Sequence, residues 1–148
     1  MNNLALVLAS QGKYDEAEQM HRQALELREA VQGREHPSTL TSMNNLASVL
    51  RSQGKYDEAE QMHRQELQLS EAVLGREHPD TLTSMNNLAL VLRSQGKYDE
   101  AEQMHRQELQ LSEAVLGRKH PDTLASMNNL ASVLRSQGKY DEAEQVFR

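Results

Sequence analysis

The stretch Met-Asn-Asn-Leu-Ala occurs four times, at Met1, Met43, Met85 and Met127, each 42 residues after the last. Met43–Ser84 and Met85–Ser126 differ at three places: Ser48 against Leu90, Glu77 against Lys119 and Thr83 against Ala125. Self-similarity at a period of roughly 20–50 residues restricts a chain to solenoids, propellers and arrays. What one copy folds into therefore decides the whole.

In the copy opening at His78, "HPDTL" is a helix start. Pro79 suits the first turn, Asp80 suits the positive end of the helix dipole, and His78 falls near the N-cap. Leu82, Met85, Leu88, Ala89 and Leu92 then recur at three- and four-residue spacing, which marks one face of a helix. Gly96 ends it, as a C-terminal glycine commonly does. A second helix is predicted from about Asp99, read as an N-cap with Glu102 completing a capping box. One stripe carries Tyr98, Ala101, His105, Leu109, Ser112 and Leu116, and an adjoining one carries Met104, Leu111 and Val115, before Gly117 stops the helix. Each copy thus reads as a hairpin of about 15 and 18 residues. One stripe packs on its own partner and the other needs a neighbour, so the hairpins stack into an all-α solenoid. The repeat units are predicted at about 1–35, 36–77, 78–119 and 120–148.

Composition narrows the function. The 148 residues suffice for one ordinary domain, and the net charge of −6, from 22 acidic and 16 basic residues, argues against a nucleic-acid partner. There is no cysteine, which excludes disulfides, thiolate metal sites and a thiol nucleophile. No apolar run approaches the ~20 residues that span a bilayer. The start "MNNLALVLASQGKYDEA" lacks the basic opening of a signal peptide, so the expected location is the cytoplasm.

These copies resemble the tetratricopeptide repeat. The carrying residues are Leu88, Ala89, Leu92, Gly96, Tyr98 and Ala101 in "LA…L…GKYDEA". The usual unit has about 34 residues; the surplus here lies in "LSEAVLGR" and lengthens the second helix. That long form is similar to the repeats of kinesin light chain and to the C-terminal arrays of fungal and bacterial signalling NTPases. The resemblance implies a right-handed superhelix whose first helices line a concave, protein-binding face. Two departures stand out. Where the family has a small residue in the second helix, copy one keeps Ala24, but the next copies have Glu66 and Glu108. Such a carboxylate is costly unless paired, so either the helices stand apart or a neighbouring Arg or His reaches it. His105 replaces the family's aromatic, which Phe147 restores.

On a helical wheel the first helix points Met85, Leu88, Ala89 and Leu92 to the core, and Thr83, Asn86, Leu90 and Arg93 elsewhere, with Asn87 and Ser94 at the margin. If that second face is the groove, stacking aligns Asn2, Asn44, Asn86 and Asn128 as a ladder. Beside it runs the row Arg51, Arg93 and Arg135, with Ala9 in the first copy, and the variable position Ser48, Leu90 and Ser132. A carboxamide both donates and accepts, and the Arg fork suits carboxylates. Together they suit an extended, acidic segment of a partner protein. Near-identical copies share residues whether or not those residues work, so the Asn pair could equally cap, bridge adjacent helices or solvate the face. The Arg row could equally pair with nearby Asp or Glu, and the variable position either tunes recognition or drifts. The rival reading is a self-assembling repeat scaffold without a dedicated ligand.

Other chemistry is weak. "EQMH" places Glu102 and His105 in the Glu-x-x-His spacing of di-iron bundles, but such sites need four helices converging on one point. A surface Glu beside a half-buried His is the expectation. "REHPD" reads as capping, and the glycines as isolated turns. No enzyme, metal or cofactor is expected. The first copy opens inside its first helix and the last stops eight residues into its second, from Asp141. The expectation is end-to-end association of chains, as a homo-oligomer, through these open termini.

Overall fold

The computed structural model describes Leu4 and residues 12–148; Asn2 and Ala9 of the expected ladder lie outside the described residues. Over 12–148 the structure is helical, with α1 at Tyr14–Gln32, α2 at Pro37–Ser52, α3 at Tyr56–Leu74 and α4 at Pro79–Ser94. The series continues with α5 at Tyr98–Leu116, α6 at Pro121–Ser136 and α7 at Tyr140–Gln145. The first and second helices of a copy therefore have 16 and 19 residues, close to the sequence expectation. Two compact units divide the chain at Val73 and Leu74. In the first, α1 packs on α2; in the second, α4 packs on α5, α5 on α6 and α6 on α7.

Each first helix starts as its sequence directs. His36, His78 and His120 are extended N-caps, and each ring Nδ1 accepts the N–H two residues on, at 3.1 Å. Proline follows at once, where its missing N–H costs nothing. At the other end Gly96 adopts φ +80° while its N–H reaches Arg93 O and the Lys97 N–H reaches Leu92 O. Those are the bonds by which a left-handed glycine closes a helix.

The second helices begin differently from expectation. α5 starts at Tyr98, with Lys97 as an N-cap whose side chain makes no capping bond. Asp99 is already helical and accepts from Gln137 Nε2 at 2.7 Å. Glu102 accepts from Arg106 Nε at 2.7 Å and from Lys139 Nζ at 3.0 Å. The capping box is thus replaced by a lock: the turn following α6 docks onto the first turns of α5. The first unit repeats it, with Gln53 on Asp15 at 2.7 Å and Lys55 on Glu18 at 2.9 Å.

The core is aliphatic and nearly free of aromatics. Met85, Leu88, Ala89, Val91 and Leu92 of α4 are all at most 1% exposed, as are Met43, Leu46, Ala47 and Leu50 of α2. Among the described residues no helix is long and apolar enough to cross a membrane.

Candidate functional site

The second unit brings two first helices, α4 and α6, to either side of a small pocket of about 140 Å³. α4 supplies Pro79, Leu82, Thr83 and Asn86; α6 supplies Asp122, Ala125, Ser126 and Asn129. Glu108 and Ser112 of α5 form the floor. The face read from the helical wheel as leaving the core therefore does line a cavity at Thr83 and Asn86. Across it, Asn129 Nδ2 donates to Asn86 Oδ1 at 2.8 Å. The first Asn of one copy is bridged to the second Asn of the next, so the second Asn, which the wheel left at the margin for Asn87, shares this face. The bond uses an acceptor of Asn86 and none of its N–H groups.

The other sequence-predicted residues are placed as follows. Leu90 is half-buried one turn beyond Asn86 on α4, and Arg93 is half-buried three residues further on. Asn128 and Arg135 are exposed on α6. In the first unit Asn44 is half-buried on α2, while Ser48 and Arg51 are exposed. None of the Arg row lines the pocket. Arg93 instead lies where its charge bears on His105, and Arg51 on His63.

Glu108 is 4% exposed. Burial pushes its carboxyl up from the ordinary range, the Ser126 and Ser112 hydroxyls oppose this, and the Asp122 charge adds to it. Ser112 Oγ donates to Oε1 at 2.8 Å. Oε2 is buried without a hydrogen-bond partner, and the Ser126 hydroxyl beside it donates to Asp122 O at 3.0 Å. The same pairing recurs in the first unit, where Ser70 Oγ donates to Glu66 Oε1 at 2.8 Å. The expectation of a wide gap or a neighbouring Arg or His at Glu108 is corrected: the Ser112 hydroxyl of its own helix partners one oxygen, beside a cavity.

A signal for this was present but missed. The residues four apart are Glu66–Ser70 and Glu108–Ser112 in copies two and three, but Ala24–Arg28 in copy one. The two positions change together. In α1 the Arg28 guanidinium donates to Ser38 O at 2.8 Å and to Ser42 Oγ at 2.9 Å on α2. Ser42 is the equivalent of Ser126, so in copy one a cation of the chain sits on this serine.

The Glu-x-x-His motif does not converge on a common point. Glu102 faces Lys139 and Arg106; burial pushes its carboxyl up, but the hydrogen bonds from Arg106, Lys139 and Gln137 outweigh this and hold it at about 2. His105 is 0% exposed and so fully buried, not half-buried as expected. Desolvation, then the Arg93 charge, holds its pKa at about 4, and neither ring nitrogen has a hydrogen-bond partner. Among the described residues no three His, Asp or Glu side chains gather as metal ligands would.

Comparison with known proteins matches this architecture. The family profile described as "Tetratricopeptide repeat" matches residues 1–72, 44–114 and 80–148. Among solved structures, the nearly identical TPR-like repeats of a kinesin-light-chain-like protein from Podosopora anserina align with a TM-score of 0.90 at 28% identity. That alignment covers 98% of this chain and 69% of that one. BtubC from P. vanneervenii aligns with a TM-score of 0.88 at 24% identity, over 98% of this chain and 58% of its own. A Rap protein complexed with competence and sporulation factor aligns at 0.83 and 16% identity, over 99% of this chain and 39% of its own. The last two speak for the fold alone. No curated protein sequence gives a significant match.

Proposed function

Since this chain belongs to the tetratricopeptide repeat family, whose profile runs along its whole length, we propose that it binds an extended segment of a partner protein on its first-helix face. Arrays of this family are interaction scaffolds; the finer reading concerns where the segment lies and what holds it. The observation that carries it is the Asn86–Asn129 bridge beside the pocket. That bridge fixes the Asn86 carboxamide while its N–H groups stay available, the arrangement needed to pair with a peptide backbone. Asn44 and Asn128 are the corresponding contact positions of their copies, and Leu90 and Ser48 shape the side-chain preference at one position. Arg51, Arg93 and Arg135 meet acidic residues of the segment further along each helix. The Rap neighbour is described in complex with competence and sporulation factor, which gives the fold, at low identity, a ligand-bound precedent.

An array of extended peptides probed with the purified chain tests this. Binding to a subset of sequences, lost when Asn44, Asn86 and Asn128 become Ala, is the expected result. Equal binding by that triple variant would remove the Asn ladder from recognition.

A further inference from the structure

We propose that the pocket between α4 and α6, floored by Glu108, is a subsite for the primary ammonium of a lysine side chain in the bound segment. The identification of the segment rests on the peptide-binding reading above; the cation chemistry of the pocket rests on its walls.

Those walls are rich in acceptors and, among the described residues, carry the only carboxyl groups at the cavity. Carboxyl groups come from Glu108 and Asp122, carboxamide groups from Asn86 and Asn129, and hydroxyls from Thr83 and Ser126. No Lys, Arg or His lines the cavity. An anion would meet two carboxyl groups, and an apolar group would strip water from acceptors without replacing their hydrogen bonds. An ammonium brings three donors and a positive charge. Leu82 and Pro79 offer the stem an apolar wall.

Space suffices for such a group. At roughly 30 Å³ per water-sized group, 140 Å³ accommodates the five non-hydrogen atoms of a butylammonium. The Glu108 carboxyl is also unfinished: Oε1 is engaged by Ser112, while buried Oε2 has no hydrogen-bond partner. The terminal torsion of a glutamate is broad, so the carboxyl can turn toward an incoming donor at little cost.

Copy one supplies the internal precedent. Where copy three has Glu108 and Ser112, it has Ala24 and Arg28, and the Arg28 guanidinium sits on Ser42 Oγ at 2.9 Å. In the first unit a cation of the chain itself thus sits on the serine equivalent to Ser126. In the second unit Ser112 stands where Arg28 does, the Glu108 carboxyl lies one turn before it, and the space beside them is open. Ala125, one of the few positions that differ between copies, lines that space where its counterpart is Thr83.

The test uses the full chain and n-butylammonium, with n-butanol as the uncharged control, read by NMR at the Glu108 carboxyl carbon and the Asn86 and Asn129 side-chain amides. Saturable shifts with butylammonium, absent with butanol, are expected. Glu108→Gln should weaken them at least tenfold. The double substitution Glu108→Ala with Ser112→Arg, which installs residues already packed in copy one, should abolish them. No saturable shift, or equal shifts with butanol or in E108Q, overturns the cation site. A peptide array then scans each position with Lys against norleucine. Peptides that bind without a lysine preference sensitive to E108Q overturn the lysine subsite and leave the groove standing. Butylammonium shifts with no peptide bound anywhere support the pocket's chemistry and overturn the groove reading.

Discussion

Replacing His63 and His105 by phenylalanine should protect the chain from acid in a defined window. The rings are 1% and 0% exposed. Desolvation holds both at about pKa 4, helped by the Arg51 charge beside His63 and the Arg93 charge beside His105. In the unfolded chain both return to the ordinary 6.5. As pH falls, the unfolded chain therefore takes up these protons first. The stability that goes with neutral rings is complete above pH 6.5 and is lost progressively until about pH 4, where the folded chain titrates too. Inside the window each proton is worth about 1.4 kcal/mol per pH unit. Between about pH 8 and pH 5 the loss comes to about 2 kcal/mol for each ring and about 4 kcal/mol for the pair, a large part of a typical domain's stability. Other groups leave this difference intact. Glu18 and Glu102, held at about 2, lose their contribution only as pH falls below 4.5. Glu108, raised by burial, gives a slope of opposite sign, but parent and variant share it. Phenylalanine already stands at the equivalent place in copy four, at Phe147. Urea unfolding followed by circular dichroism at a series of pH values gives the difference in stability directly. The H63F/H105F variant should gain about 4 kcal/mol on its parent across that range. A difference that is flat with pH, or histidine resonances that titrate near 6.5 in the folded chain, would refute the reasoning.

Two further outcomes follow from the turns and the lock. Gly96→Ala meets no atom within 4 Å but forces a β-carbon onto φ +80°, so thermal unfolding should report a loss of about 1 kcal/mol from backbone strain alone. Glu102→Gln removes the negative charge shared by Lys139 and Arg106 and leaves one acceptor oxygen. Denaturation at low ionic strength should show a loss of about 1 kcal/mol that shrinks in roughly 1 M salt, and a salt-independent loss would mean that packing, not charge, explains it.

The helices were legible because their signals are local. His78 accepts from the Asp80 N–H within its own turn, and Gly96 needs only its own φ, so a cap and a stop can be read without knowing what packs where. Asp99 and Glu102 were misread for the opposite reason. Their spacing fits a capping box, yet their partners Gln137 and Lys139 are 38 and 37 residues away and arrive only when α6 packs on α5. Burial of His105 was underestimated in the same way, because a ring on one stripe of a helix becomes fully enclosed only when neighbours cover both sides. Glu108 was recognised as a misfit, but its resolution lay in a second substitution four residues on. Ala24–Arg28 against Glu108–Ser112 is one exchange of charge, visible in the sequence only when the two positions are read as a pair.

Repetition itself cannot distinguish working residues from copied ones, but the exceptions to it can. Asn86 is half-buried and bonded to Asn129 of the following copy. The positions that break the repeat are freed from the constraint of copying. Leu90 stands one turn beyond Asn86 on the same helix, Ala125 lines the pocket, and the Ala24–Arg28 exchange decides the charge at its floor. Other changes, such as Glu77 against Lys119, fall on exposed positions outside the cavity. The Ala125 and Glu108–Ser112 changes meet in one cavity, and the latter inverts its charge, which is the pattern the proposed binding reading expects of a constant frame with specificity written in a few residues.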